Sequence, residues 1–257
     1  DEFVYIVGPV LSTVLGTALH PATGLIISIA SLAVGGALFL SRRDSEPAII
    51  PYDPGAPRES VIRKPVVLVM AATYIGMGMT FGAMEVSMVS FTEELGTPAL
   101  GGVLLALSSI ASLTSALVYG ARTWRRPTWQ LFVIGVIAMA VGMSLFPVAF
   151  NVWTMAVIIL ITGLTCAPTM TNVNVIIQES VSPAKLTEGL TWMSTSINLG
   201  TSLGTAIAGP AIDAIGARGG LFTMSGAGWA MVLLMLIGLP ALRRSPAATP
   251  KPTLPLE

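Results

Sequence analysis

Apolar residues run through this chain in long blocks, and the charged residues fall almost entirely between those blocks. Uncharged stretches extend over residues 3–41, 65–84, 95–121, 127–178, 189–212 and 219–242. A helix needs ~20 such residues to cross a bilayer. The first and fourth stretches are too long for one crossing and hold internal breakers, His20-Pro21 and the run Phe146-Pro147 to Asn151, so each predicts a helical hairpin. The pattern thus predicts eight membrane helices, at 3–19, 22–41, 65–91, 98–120, 128–147, 151–178, 183–212 and 219–241. Strands are disfavoured, because membrane strands alternate polar with apolar and must close a barrel.

Composition narrows the class. The chain has 257 residues, of which 53% are hydrophobic and 10% charged, against about 25% charged in soluble domains. A soluble globular domain is excluded. Thirteen Lys plus Arg balance thirteen Asp plus Glu, so there is no basic excess for nucleic acid and no acidic tail. A single Cys (Cys166) and a single His (His20) make neither an internal disulfide nor a Cys/His metal cluster, so no metal site and no cofactor is expected. No Gly-x-x-x-x-Gly-Lys-Ser/Thr loop occurs to bind ATP.

Charge also orients the chain. With both ends of this segment in the cytoplasm, the inside stretches hold Arg42, Arg43, Arg58, Arg63, Lys64, Arg122, Arg125, Arg126, Lys185, Arg243, Arg244 and Lys251, and only Arg218 lies outside. That is the asymmetry of a multi-pass protein of the cell (plasma or inner) membrane. Residues 42–64, with Pro47, Pro51, Pro54 and Pro57, read as a cytoplasmic linker between a two-helix piece (1–41) and a six-helix piece (65–242). Residues 243–257, with four prolines and no apolar period, read as a disordered cytoplasmic tail.

An internal repeat follows. One offset of 201 residues superposes Gly8-Pro9 on Gly209-Pro210 and Arg42-Arg43 on Arg243-Arg244. The same offset lays the first two predicted helices on the last two, which is a six-helix period. The chain also opens on Asp1-Glu2 and runs straight into a span. The expectation is a fragment of a twelve-helix protein whose N-terminal helices are missing. The second, fifth and eighth helices carry few polar groups while the third, fourth, sixth and seventh carry many. Such a triplet suits one lipid-facing helix beside two that line something wet.

Several motifs carry a family resemblance. Gly8-Pro9 with Ser12-Thr13 resembles a Gly-Pro-x-x-Gly-Gly signature. Gly120, Arg122, Trp124, Arg125 and Arg126 resemble a short basic loop between the eighth and ninth helices of a twelve-helix set. Gln178 to Asp213, with Ser182-Pro183, Asn198, Gly200, Gly204 and Gly209-Pro210, resembles a tenth-to-eleventh helix segment. In order and spacing these resemble helices five to twelve of a major facilitator superfamily transporter. The resemblance implies an all-α polytopic bundle of that type, eight helices of an expected twelve, and a possible gating role for Arg122, Arg125 and Arg126.

Candidate chemistry lies inside the spans. Thr191, Ser194, Thr195, Asn198, Thr201, Ser202 and Thr205 recur at steps of three and four, on one face of the seventh helix. That stripe reads either as helix-to-helix glue or as the wall of a cavity, with Thr195 and Asn198 the cavity candidates. Gly200, Gly204 and Ala208 form a second, small-residue stripe for helix packing; Gly8, Pro9, Gly209 and Pro210 are assigned to packing as well. Glu85, well inside the third helix, is either an interfacial carboxylate near Glu93 and Glu94 or the proton-coupling residue; Tyr74, Gly78 and Phe81 share its face and would line the same route, Tyr74 and Phe81 as substrate-cavity residues. In the sixth helix Thr169 and Asn172 are candidate substrate contacts, and Pro168 a kink.

The function these features support is secondary active transport of a small organic solute, efflux-like, coupled to protons, by rocking two halves around a midplane site. The partners would be the solute, protons, the lipid bilayer and the missing helices of the same chain, in a monomer. A polytopic membrane enzyme is the alternative, but no nucleophile with a base is seen. A non-transporting receptor or scaffold is a third reading, against which the polar stripes argue.

Overall fold

A computed structural model describes Gly8, His20, residues 22–42 and residues 60–245. The chain divides into two compact units, Phe3–Arg58 with Asp1 and Glu59–Glu257 with Glu2. In the first unit the described helix is α1, Thr23–Ser41, which buries no side chain. Two of its three serines spend their hydroxyls on its own backbone, Ser28 donating to the Gly24 carbonyl at 2.9 Å and Ser41 to that of Leu38 at 2.8 Å. An apolar helix with self-satisfied hydroxyls suits hydrocarbon. The predicted helix 3–19, apart from the exposed helical Gly8, lies outside the described residues. So do Pro9, Ser12-Thr13, most of the linker, and the tail beyond Ser245.

The second unit runs α2 (Pro65–Glu94), α3 (Leu100–Gly120), α4 (Thr128–Met143), α5 (Val152–Gly163), α6 (Cys166–Ser180), α7 (Leu186–Ile215), α8 (Ala217–Ile237) and the short α9 (Leu239–Arg243). Every regular element among the described residues is helical. Six stretches there are long and apolar enough to cross a membrane: α1, α2, α3, Thr128–Val148, Val152–Ser180 and α8. The helix predicted at 183–212 forms as α7, 30 residues long, but its polar stripe keeps it out of that apolar set. Other boundaries shift as well: α4 ends at Met143 against the predicted 147, the predicted 151–178 divides into α5 and α6, and α7 runs from Leu186 to Ile215 rather than over 183–212. α2 runs three residues past the predicted 91, α3 starts at Leu100, and the predicted 219–241 splits into α8 and α9 at Gly238.

Local chemistry sets the breaks. Pro168 has no N–H, and its ring crowds the carbonyl four residues back, at Leu164; the helix opens there, between α5 and α6. α5 begins at a capping box in which the Asn151 side chain accepts from the Thr154 N–H at 2.8 Å and Thr154 Oγ1 accepts from the Asn151 N–H at 3.2 Å. α7 turns into α8 through Gly216 alone, at φ 72°, a left-handed conformation that a side chain resists. Glu94 Oε1 sits against that glycine and takes the Ala217 N–H at 2.6 Å, tying the end of α2 to the start of α8.

α2 packs against α7 on one side and α8 on the other. The α2–α7 crossing is made of glycine: a side chain at Gly78 would run into the Ile197 carbonyl, one at Gly82 into Thr201, one at Gly200 into Ile75 and one at Gly204 into Met79. Gly76 meets Met231 of α8 in the same way. Lipid tails are as apolar as leucine, so helices gain little by hiding apolar surface from them. Close backbone approach over small residues replaces that drive. Met70, Met77, Met88, Phe132, Met139, Met155 and Met224 fill the spaces between helices and are fully buried or nearly so.

Candidate functional site

α7 has two faces of opposite character. Gly189, Met193, Ser196, Gly200, Gly204 and Ala208 are buried, Gly200 and Gly204 against α2 and Gly189 against Ile177 and Val181. On the other side Thr191, Ser194, Thr195, Asn198, Ser202 and Thr205 are all exposed, with Thr201 half-buried at the edge. Most of the polar stripe thus lies on the open face, while Thr201 and the Thr205 hydroxyl stand at its edge against Gly82 of α2. Four of its hydroxyls turn back on the helix: Thr191 donates to the Thr187 carbonyl, Thr201 to Ile197, Ser202 to Asn198 and Thr205 to Thr201, at 2.8 to 3.1 Å. Asn198 does not do the same. Among the described residues nothing bonds its carboxamide, and an amide left dry costs several kcal/mol, roughly 2–7 by the reference chosen. A face carrying that group belongs against water or a polar partner. Leu199, Leu203 and Ile207 flank it, 41 to 50% exposed, which makes the surface amphipathic.

α6 presents a matching strip. Thr171, Asn174 and Gln178, at spacings of three and four, are exposed, while its other side is buried in the bundle. There Thr169, 1% exposed, donates to the Thr165 carbonyl at 2.7 Å and lies against Gly135 of α4. Asn172, also buried, accepts the Tyr119 hydroxyl of α3 on Oδ1 at 2.8 Å. Thr169 and Asn172 thus sit inside helix contacts, whereas Thr195 and Asn198 sit on the open face of α7.

The α2 residues separate too. Tyr74 is buried, with its hydroxyl 3.5 Å from the Met170 carbonyl of α6; Gly78 is under α7. Phe81 is half-buried against the core. Glu85 alone is exposed, and among the described residues no donor reaches its carboxylate. Gly8 and Gly209 have open space where a side chain would stand, and Pro210 is exposed within α7. Neither Gly209 nor Pro210 makes a close helix crossing among the described residues, because the small-residue face of α7 follows Gly200, Gly204 and Ala208 instead.

One cluster joins the α3–α4 loop to α6. The Tyr119 ring stacks on Trp124 with centroids 4.7 Å apart and planes at 28°; the Trp124 indole N–H donates to the Tyr119 carbonyl at 3.0 Å; and the Arg122 guanidinium stands 5.1 Å over the Trp124 ring. Arg125 and Arg126 are exposed beside it. Sequence reasoning missed Tyr119 and Thr171. Thr171 could have been found from its spacing to Asn174 and Gln178, Tyr119 only from its nearness to Trp124.

At the same end Glu188 Oε1 accepts the Ser60 hydroxyl at 2.7 Å and the Val61 N–H at 2.9 Å, and Lys64 Nζ donates to the Ser180 carbonyl at 3.0 Å. The segment entering α2 is thereby held to α6 and α7. Among the described residues no group of three His, Cys, Asp or Glu could hold a metal ion.

No curated protein matches this chain. The family model described as Major Facilitator Superfamily matches residues 2–204 and, in an overlapping second match, residues 66–256. With that match over most of its length, and with six stretches among the described residues long and apolar enough to cross a membrane, the chain belongs to the major facilitator superfamily of secondary transporters.

Proposed function

We propose that the chain carries half of a solute path for a small organic, amphipathic molecule, and that the open face of α7 is its wall. The observation that carries this reading is Asn198, an amide with no partner among the described residues, on an exposed face of hydroxyls and leucines. Amide and hydroxyls supply hydrogen bonds; Leu199, Leu203 and Ile207 supply apolar contact. A second six-helix half would close the opposite wall, as the six-helix sequence period suggests, and alternating access follows when two such halves rock around a midplane site. The twelve-to-one bias of basic residues supports loops such as 120–126 facing the cytoplasm of a cell membrane.

Glu85 is proposed as the proton-coupling group. A carboxylate inside a span is costly unless it is paired, protonated or hydrated, and Glu85 is exposed with no donor beside it. The test is flux of fluorescent amphipathic solutes, ethidium among them, in proteoliposomes under an imposed pH gradient. Solute movement driven by the gradient is expected, with Glu85→Gln keeping solute exchange and losing the gradient dependence. Unchanged coupling in Glu85→Gln would remove the proton role, and vesicles inert to every solute tried would count against transport by this path.

A further inference from the structure

Away from the polar face, a groove of about 650 Å³ opens between the first turns of α2 and the α8–α9 bend. Val66, Val69, Leu234, Ile237 and Pro240 line it, and Arg244 closes one end. The bend makes the groove: the helix breaks at Gly238, where a side chain would strike Val69, and Leu239–Arg243 continues as a separate turn. Along α2 it runs from Pro65 to Ala72, ~10 Å at the helical rise. That is the depth of part of one leaflet.

The segments that line it carry basic residues only, although the Glu188 carboxylate of α7 is held nearby on Ser60 and Val61. Arg63 and Lys64 precede α2, Arg243 and Arg244 end α9, and no acidic residue occurs in 60–84 or 217–245. Two of the four cations are engaged elsewhere: Lys64 on the Ser180 carbonyl at 3.0 Å and Arg243 over the Trp129 ring at 5.5 Å. Arg244 has no such partner among the described residues and lines the groove itself. On the proposed orientation this end lies at the cytoplasmic headgroup level, where basic pockets between membrane helices attract anionic lipids.

We propose that this groove holds one anionic glycerophospholipid, with an acyl chain along Val66, Val69, Leu234 and Ile237 and the phosphate on Arg244. Arg244 is the selecting residue. The apolar lining accepts any acyl chain, so the choice among headgroups rests on that one guanidinium.

The test uses the full chain purified in dodecyl maltoside and offered an equimolar mixture of dioleoyl phosphatidylglycerol and dioleoyl phosphatidylcholine, with retained lipid counted by native mass spectrometry. A single basic residue near the surface corresponds to a preference of about fivefold. Phosphatidylglycerol is expected to be retained over phosphatidylcholine by that factor in the parent and in Arg243→Gln, close to equally in Arg244→Gln, and preferentially again in Arg244→Lys. Equal retention by the parent, or an undiminished preference in Arg244→Gln, would overturn the proposal. Should Arg244→Gln fail to fold, Leu234→Trp is expected to fill the groove and lower retention of both lipids. Unchanged retention in that variant means the groove is covered by something other than lipid, and the proposal fails.

Discussion

α2 and α7 are both 30 residues long, cross each other glycine to glycine and are rich in hydroxyls, yet they place those hydroxyls on opposite sides. In α2, Thr73, Thr80, Ser87 and Thr92 are buried, and each donates to a carbonyl of its own helix three or four residues back, at 2.5 to 3.0 Å. Ser87 also faces Gly220 of α8. In α7 the glycines face inward and most of the hydroxyls outward, Ser196 being the buried exception, with an amide among the outward ones. Thr73, Gly76 and Thr80 share a face of α2 at helical spacing, whereas Asn198 and Ser202 lie across α7 from Gly200 and Gly204. A polar stripe thus marks an open surface when it lies opposite the small residues, and packing when it runs among them.

Substitutions can break this contrast at either side. The largest effect is expected at the crossing itself: Gly200→Leu drives a side chain into the Ile75 carbonyl, and overpacking of that kind costs ~3 kcal/mol. Thermal unfolding of the purified chain should show it, and a melting temperature unchanged by Gly200→Leu would contradict the crossing. Next comes Asn198→Ala, which is expected to raise the apparent KM for solute about tenfold, the worth of a lost hydrogen bond or two. It should leave the melting temperature nearly unchanged, since the side chain is exposed and makes no hydrogen bond among the described residues. A loss of stability with transport intact would return α7 to the role of glue.

Tyr119→Phe sharpens the contrast from a third direction. It removes the donor to a buried Asn172 oxygen, a change of about 1 kcal/mol in stability, and lets α6 and the 120–126 loop shift independently. Differential scanning calorimetry would read the loss; a variant as stable as the parent would mean the bond adds nothing. The smallest effect is expected from Thr80→Val, because that hydroxyl is spent on the Met77 carbonyl at 2.7 Å and similar contacts in membranes average about 0.6 kcal/mol. Transport should be unchanged in it.

Much of the architecture is legible in the chain. Blocks of apolar residues between charges are enough to place helices, because a bilayer demands that every backbone group be satisfied within its own segment. The site is less legible, and the reason is visible at Thr169 and Asn172. Both sit at one-turn spacing in a polar run, but Gly135 of α4 receives one and Tyr119 of α3 receives the other. Which neighbour lies beside a helix face is decided by tertiary packing, not by period. Asn198 sits in an equally periodic run, yet stays exposed and unbonded among the described residues. Glu85 is similar: its spacing aligns it with Tyr74 and Gly78, but α6 and α7 cover those two and leave it exposed. The split of the last predicted helix at Gly238 was likewise hidden, since a lone glycine within an apolar run is tolerated in a membrane helix.

The central claim is that the outward face of α7 meets water. Substituted-cysteine labelling tests it most directly, with Cys166→Ser as the background and Asn198→Cys compared with Thr80→Cys in native membranes. A small charged methanethiosulfonate reagent should modify Asn198→Cys rapidly and leave Thr80→Cys unreacted, with solute slowing the former. Asn198→Cys reacting no faster than Thr80→Cys would place that face against lipid or protein, and contradict the account.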